Sequence, residues 1–173
     1  FGIVNRLVFI VVMIVMGLNQ GMQPIAGYNF GAKLYGRVNK VLRLTIIYAT
    51  AVTTFGFLVG MLVPDLVVGI FTSDAELTEL SVTGLRITVM FFPIIGFQMV
   101  TSNFFQSIGM AGKAIFLSLT RQMLILLPCL LVLPQFFGVA GVWYSMPVSD
   151  LLASLIALVM LVCQFRKFRT SPL

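Results

Sequence analysis

No histidine occurs anywhere in this sequence. Imidazole acid–base chemistry and imidazole metal ligation are thereby excluded. Charge is scarce as well: 9% of the 173 residues are charged, against about 25% in a soluble domain. There is no GxGxxG, P-loop or Cys-x-x-Cys pattern, and no nucleophile stands beside the clustered acids Asp65, Asp74, Glu76 and Glu79. No catalytic residue, metal ligand set or resident cofactor is therefore expected, and the chain does not read as an enzyme. Internal repeats, low-complexity tracts and domain linkers are also lacking. The two cysteines, Cys129 and Cys163, fall toward opposite ends of their spans, too far apart for a disulfide, and read as small apolar packing residues.

What fills the space is hydrophobic: 60% of residues, with a mean hydropathy of +1.09. Such a chain cannot cover its surface with polar side chains in water, so its solvent is lipid. Crossing about 30 Å of hydrocarbon takes about 20 apolar residues. Five stretches qualify: 3–32, 41–62, 81–110, 114–133 and 142–163. Each is expected to be a helix, because backbone exposed to lipid must satisfy its own hydrogen bonds. A β-barrel is excluded by the length of the runs and the absence of alternation. The fold class is an all-α polytopic membrane protein.

The net charge of +6 does not point to nucleic acid, because the charges follow the connections between spans. Lys33, Arg37, Lys40 and Arg43 follow the first span, Lys113 and Arg121 flank the fourth, and Arg166, Lys167 and Arg169 follow the fifth. The connection after the second span is acidic, and the one at 134–141 is uncharged. Basic and non-basic connections alternate, the positive-inside pattern for a cytoplasmic C-terminus. That topology puts Phe1 on the outer side. With no initiating Met or signal peptide before it, at least one earlier span is expected upstream, and the chain reads as a fragment.

Polar residues inside the spans are the functional candidates. Gln98, Ser102 and Gln106 recur every four residues with Asn103 beside them, one stripe on an otherwise apolar helix. Asn19 and Gln23 share a face of the first span. These six are the candidate lining of a substrate cavity; the alternative is bonding between helices. Asp150 lies about 12 Å into the fifth span at 1.5 Å per residue. It reads either as a proton- or cation-responsive group or, more simply, as a structural pair with Arg86. Arg121 and Arg6 are expected to snorkel to the headgroups. The pairs Gly17/Gly21 and Gly27/Gly31 offer close helix approach. Pro24, Pro93, Pro128 and Pro147 interrupt four of the five spans, with kinks expected at Pro24 and Pro93. Ser73 and Glu76 have capping-box spacing ahead of the third span.

Residues 17–33, GLNQGMQPIAGYNFGAK, resemble the G-x-x-Q-G-x-Q-P-x-x-G-Y-N-x-G-A signature of the multidrug and toxic compound extrusion (MATE) antiporters. In order along the chain follow Phe104-Phe105-Gln106-Ser107-Ile108-Gly109, Thr120-Arg121-Gln122, Pro128, Gly138-Val139-Ala140-Gly141-Val142-Trp143 and Pro147-Val148-Ser149-Asp150. The resemblance implies a twelve-helix, two-lobe fold around a central cavity. Residues 1–173 would be helices eight to twelve of the C-terminal lobe, with helix seven and the N-terminal lobe lying upstream. It further implies efflux of organic, often cationic, small molecules by alternating access, coupled to Na⁺ or H⁺, in the bacterial cytoplasmic membrane. The sequence departs from some branches in lacking a carboxylate between residues 83 and 110. Coupling acids are therefore expected in the upstream part. Two other functions fit the helix plan: a flippase for lipid-linked oligosaccharides, which would want more cationic side chains in its spans, and a membrane subunit without transport.

Overall fold

The computed structural model describes residues 2–170, with side chains described as far as residue 167. Phe1 and the Arg169 side chain, both used in the orientation argument, lie outside the described residues. Among the described residues eight α-helices and one π-helical segment follow in order: α1 (Gly2–Gly31), α2 (Tyr35–Leu62), α3 (Pro64–Gly69), α4 (Ala75–Val89), α5 (Phe92–Ser107), α6 (Ala111–Leu119), the π segment (Thr120–Leu126), α7 (Leu127–Phe137) and α8 (Val139–Thr170). Four stretches are long and apolar enough to cross a membrane: α1, α2, Ala111–Phe137 and Val139–Lys167. The pair α4 and α5, bent by 53° at its break, makes the fifth.

The helices run further than their apolar runs. Arg37, Lys40 and Arg43 lie in the first turns of α2, so only Lys33 belongs to the connection where the sequence places all four. The expected loop at 134–141 shrinks to Gly138, whose φ of +65° closes α7 while its N–H bonds to the Pro134 carbonyl. Apolar length measures hydrocarbon thickness, whereas Lys, Arg and Gln carry a helix onward into the headgroups.

Proline places the breaks. Pro93 stands at the start of α5, where its ring would clash with the carbonyl of Val89, and α4 ends at that residue. Pro24, Pro134 and Pro147 stay inside helices. The short α3 begins with Pro64 in its first turn. The cap of α4 is Asp74 rather than Ser73: its Oδ1 accepts from the N–H groups of Glu76 and Leu77 at 3.0 and 3.3 Å. A carboxylate adds favourable charge at a helix N-terminus, which a serine hydroxyl does not.

Helix α5 runs through the centre, against α1, α2 and α8. One apolar cluster centres on Phe104, Phe105, Leu42 and Leu117, and a second, toward the acidic end, on Val4, Val68, Val89 and Phe92. Buried Thr45, Thr53, Thr88 and Thr101 donate to carbonyls four residues back, so their hydroxyls cost little in the apolar interior. Of the anticipated glycine contacts only Gly27 is closely faced, by the Ser107 carbonyl; Gly17, Gly21 and Gly31 meet nothing within 4 Å. The tightest approach to another backbone is elsewhere. A Cβ on Gly141 would sit 2.5 Å from the backbone of Leu133, so α7 and α8 cross backbone to backbone.

Gly141→Val is expected to lower the thermal unfolding midpoint in detergent, by overpacking worth about 1–3 kcal/mol. Gly17→Ala, facing open space, should leave it within error. Equal midpoints for the two variants would refute the close crossing.

Candidate functional site

The Gln98, Ser102 and Gln106 stripe on α5 faces α6 and the π segment, while Gly96 fits another side of the helix against α2. A Cβ there would meet Thr53 Oγ1 at 2.7 Å and the Ala49 carbonyl at 3.0 Å. Gln98, Ser102 and Asn103 then line a cleft of about 150 Å³ whose far wall is Ser118, Arg121 and Gln122. Gln98 is 5% exposed and has no side-chain partner among the described residues, so its amide is available in the cleft. Gln106, exposed, and Ser102 reach an adjoining cleft of about 320 Å³ beside α6.

The remaining candidates divide between two roles. Gln23 Nε2 donates to Asn103 Oδ1 at 3.1 Å, while Asn103 Nδ2 donates to the Met99 carbonyl at 3.1 Å. This pair ties α1 to α5, and of its two members only Asn103 lines the cleft. Asn19 is only 2% exposed, and both its amide atoms lack partners among the described residues. It sits between Val15 and Met22 on the packed face of α1 and is absent from the residues lining either cleft.

The anticipated Asp150–Arg86 pair does not form. Asp150 Oδ1 instead accepts from Arg121 Nε at 2.8 Å and lies 2.7 Å from Arg121 Nη2. The difference has two causes. Helix α8 starts at Val139, so Asp150 is about 16 Å along it; Arg121 is about 15 Å from the start of α6. Both therefore sit near mid-bilayer depth, and Arg121 does not snorkel. Arg86 is exposed, on the side of α4 away from the buried Gly84, Leu85 and Thr88.

Arg121 is aimed by the π segment Thr120–Leu126, a wide-turned stretch immediately before Pro128. Proline removes one helical donor, and the local widening adjusts the backbone around that loss. Ser149 Oγ donates to the Arg121 carbonyl at 3.0 Å, binding the same turn to α8 a second time. The Asp150 side chain is 6% exposed and that of Arg121 33%, so the guanidinium reaches the cleft while the carboxylate stays behind it. The arrangement offers amides, a hydroxyl and a neutralised guanidinium to a polar ligand. Among the described residues no cluster of acids or cysteines could hold a metal ion. Sequence reasoning missed Ser118, Arg121 and Gln122 as lining; the signal was Thr120-Arg121-Gln122 lying about two helical turns ahead of Pro128.

Residues 1–131 match the MatE family model. The chain belongs to the MatE family. That family is one of membrane transporters rather than enzymes. A MATE multidrug transporter, DinF-BH, solved in complex with R6G, is 37% identical and superposes with a TM-score of 0.89 over 99% of this chain. The multidrug export protein MepA of Staphylococcus aureus is 27% identical over 158 residues, 91% of this chain. Two more distant MATE structures share the fold, one outward-facing (18% identity, TM-score 0.90) and one inward-facing (17%, 0.87). The chain spans 38% of DinF-BH and 35% of MepA, so it corresponds to little more than a third of either relative.

Removing one member of the ion pair strands the other charge in a low-dielectric site. Arg121→Met is therefore expected to destabilise the protein more than the double variant Arg121→Met/Asp150→Leu. The single loss should be below the about 3–5 kcal/mol of a fully buried pair, because Arg121 is partly exposed. A double-mutant cycle on thermal unfolding measures this, and additive effects would contradict the pairing.

Proposed function

We propose that these helices form the C-terminal lobe, helices eight to twelve, of a bacterial multidrug-efflux antiporter. The observation that carries this reading is the 37% identity, over nearly the whole segment, to a multidrug transporter solved with R6G. The name of the MepA relatives supports it from a second direction. In this reading Gln98, Ser102, Asn103 and Gln106 belong to one wall of a cavity whose other wall is an N-terminal lobe of the same polypeptide. Organic, mainly cationic, small molecules bind there and are exported in exchange for Na⁺ or H⁺. The amides bond polar groups of varied substrates without leaving a fixed charge unpaired in the membrane. Gln23, held by Asn103, positions that wall, and the buried Asn19 packs behind it.

Alternating access asks that each lobe move largely as a body around a shared site. Support comes from the similar likeness of this segment to an outward-facing and an inward-facing relative. Asp150 is already neutralised by Arg121, which supports a coupling acid upstream of this segment rather than within it. The alternation of basic and non-basic connections supports a cytoplasmic C-terminus.

The test expresses the complete reading frame in an efflux-deficient bacterial host and follows loss of rhodamine-type dye from preloaded cells. Dye loss should be faster than in vector controls and slow when the Na⁺ or H⁺ gradient is collapsed. Gln98→Ala should change the rank order of substrates while leaving expression intact. Unchanged susceptibility to several cationic dyes would reject multidrug efflux.

A further inference from the structure

One face of α2 is open along nearly its whole length and changes character from end to end. Gly36, Asn39, Lys40 and Arg43 are spaced at three and four residues, so they share that face. With Leu42, Ile46 and the ring of Phe165 from α8 they line a cleft of about 570 Å³, within the about 300–1,000 Å³ typical of small-molecule sites. The same face continues through Ile47, Ala51, Phe55 and Leu58 as an apolar groove of about 670 Å³, sharing Ile46 and Ile47 with the cleft. From Ile46 to Leu58 this groove is about 18 Å long at 1.5 Å per residue, close to the about 15 Å depth of half the hydrocarbon core.

The charged end has unmet capacity. Neither Lys40 nor Arg43 has an acidic partner among the described residues. The Oδ1 of Asn39 is buried there with nothing donating to it. Two cations ask for an anion, an orphan acceptor asks for a hydroxyl, and an adjoining apolar groove one leaflet deep asks for a hydrocarbon chain. These demands meet in one molecule.

We propose that this face of α2 is a binding site for an anionic, hydroxyl-bearing phospholipid of the phosphatidylglycerol type. Lys40 and Arg43 hold its phosphate, Asn39 Oδ1 accepts from a headgroup hydroxyl, and one acyl chain lies along Ile47, Ala51 and Phe55. The site is separate from the polar cleft beside α5, and its occupant comes from the leaflet that faces the basic end of the bundle. A phosphatidylcholine headgroup carries the same phosphate, but its own cation opposes Lys40 and Arg43 and it has no hydroxyl for Asn39.

Native mass spectrometry of the full-length protein, released from micelles containing equal phosphatidylglycerol and phosphatidylcholine, tests this. The wild type should keep a phosphatidylglycerol adduct selectively. Lys40→Gln/Arg43→Gln should lower its retention roughly tenfold, since each cation near an anionic surface contributes a substantial share of affinity. Ala51→Trp, which fills the groove and leaves both charges intact, should lower it independently, while Arg37→Gln, outside the groove, should not. The proposal fails if the two lipids are retained equally, or if either lining variant leaves retention unchanged. It fails equally if the wild type keeps no lipid because another part of the polypeptide covers this face. Displacement of the adduct by millimolar inorganic phosphate, with Ala51→Trp silent, would mark a free-anion site and also overturn it.

Discussion

A carboxylate at the middle of a bilayer has no water to stabilise it and must find a cation inside the protein. Asp150 finds Arg121, and much of the bundle's second half is organised by that need. The guanidinium reaches it because the fourth span leaves α-helical geometry for one π-helical stretch just ahead of Pro128. Ser149 then fastens the backbone of that same stretch to α8. Once the pair forms, the carboxylate is withdrawn behind Arg121, and the cleft beside α5 presents a neutralised guanidinium among amides. A cavity of that character suits ligands of varied polarity better than one holding a bare charge.

The same solvent constraint governs the prolines. In hydrocarbon an interrupted helix is tolerated where neighbouring helices or local changes of helical geometry meet the freed backbone groups. Two departures from continuous α-helix, the 53° break before Pro93 and the π stretch before Pro128, lie in spans that border the polar cleft. The break at Pro93 leaves α5 as a separate half-helix, and its first turns bring Gln98 to the cleft wall. Helix α2, which has no proline, runs unbroken for 28 residues and supplies the packing surface for α5 on one side and the open groove on another.

Charge placement connects topology with both polar regions. Lys113, at the start of α6, bonds Gln164 near the end of α8 at 2.7 Å, and Gly27 lies against the Ser107 carbonyl. These contacts gather the basic helix ends at one side of the bundle. Lys40 projects from that end because α2 begins six residues before its apolar run, and Arg43 lies about one turn further in. A helix extending into the headgroup layer thus carries its cations to the depth where lipid phosphates lie.

Much of the architecture was legible in the residues alone. Five spans follow from apolar length, their helical state from the need of backbone groups for partners, the kink of the third from Pro93, and the family from the motifs between Gly17 and Asp150. These properties depend on neighbours along the chain and on the solvent, so one dimension carries them. Helix ends were less legible, because Arg37 and Lys40 continue a helix as readily as they leave the membrane. The choice among partners was not legible at all. By depth Asp150 pointed to Arg86 while Arg121 looked bound for the headgroups, and only the π turn that aims Arg121 inward, with Arg86 carried outward on α4, reversed that choice. Likewise Gln23 and Asn103, eighty residues apart, became one hydrogen-bonded tie between α1 and α5, whereas Asn19, a single turn away, was closed off in the core. Periodicity assigns a residue to a face of its own helix, but what that face meets depends on how the other helices rotate and bend, and packing settles that only when the whole bundle has assembled.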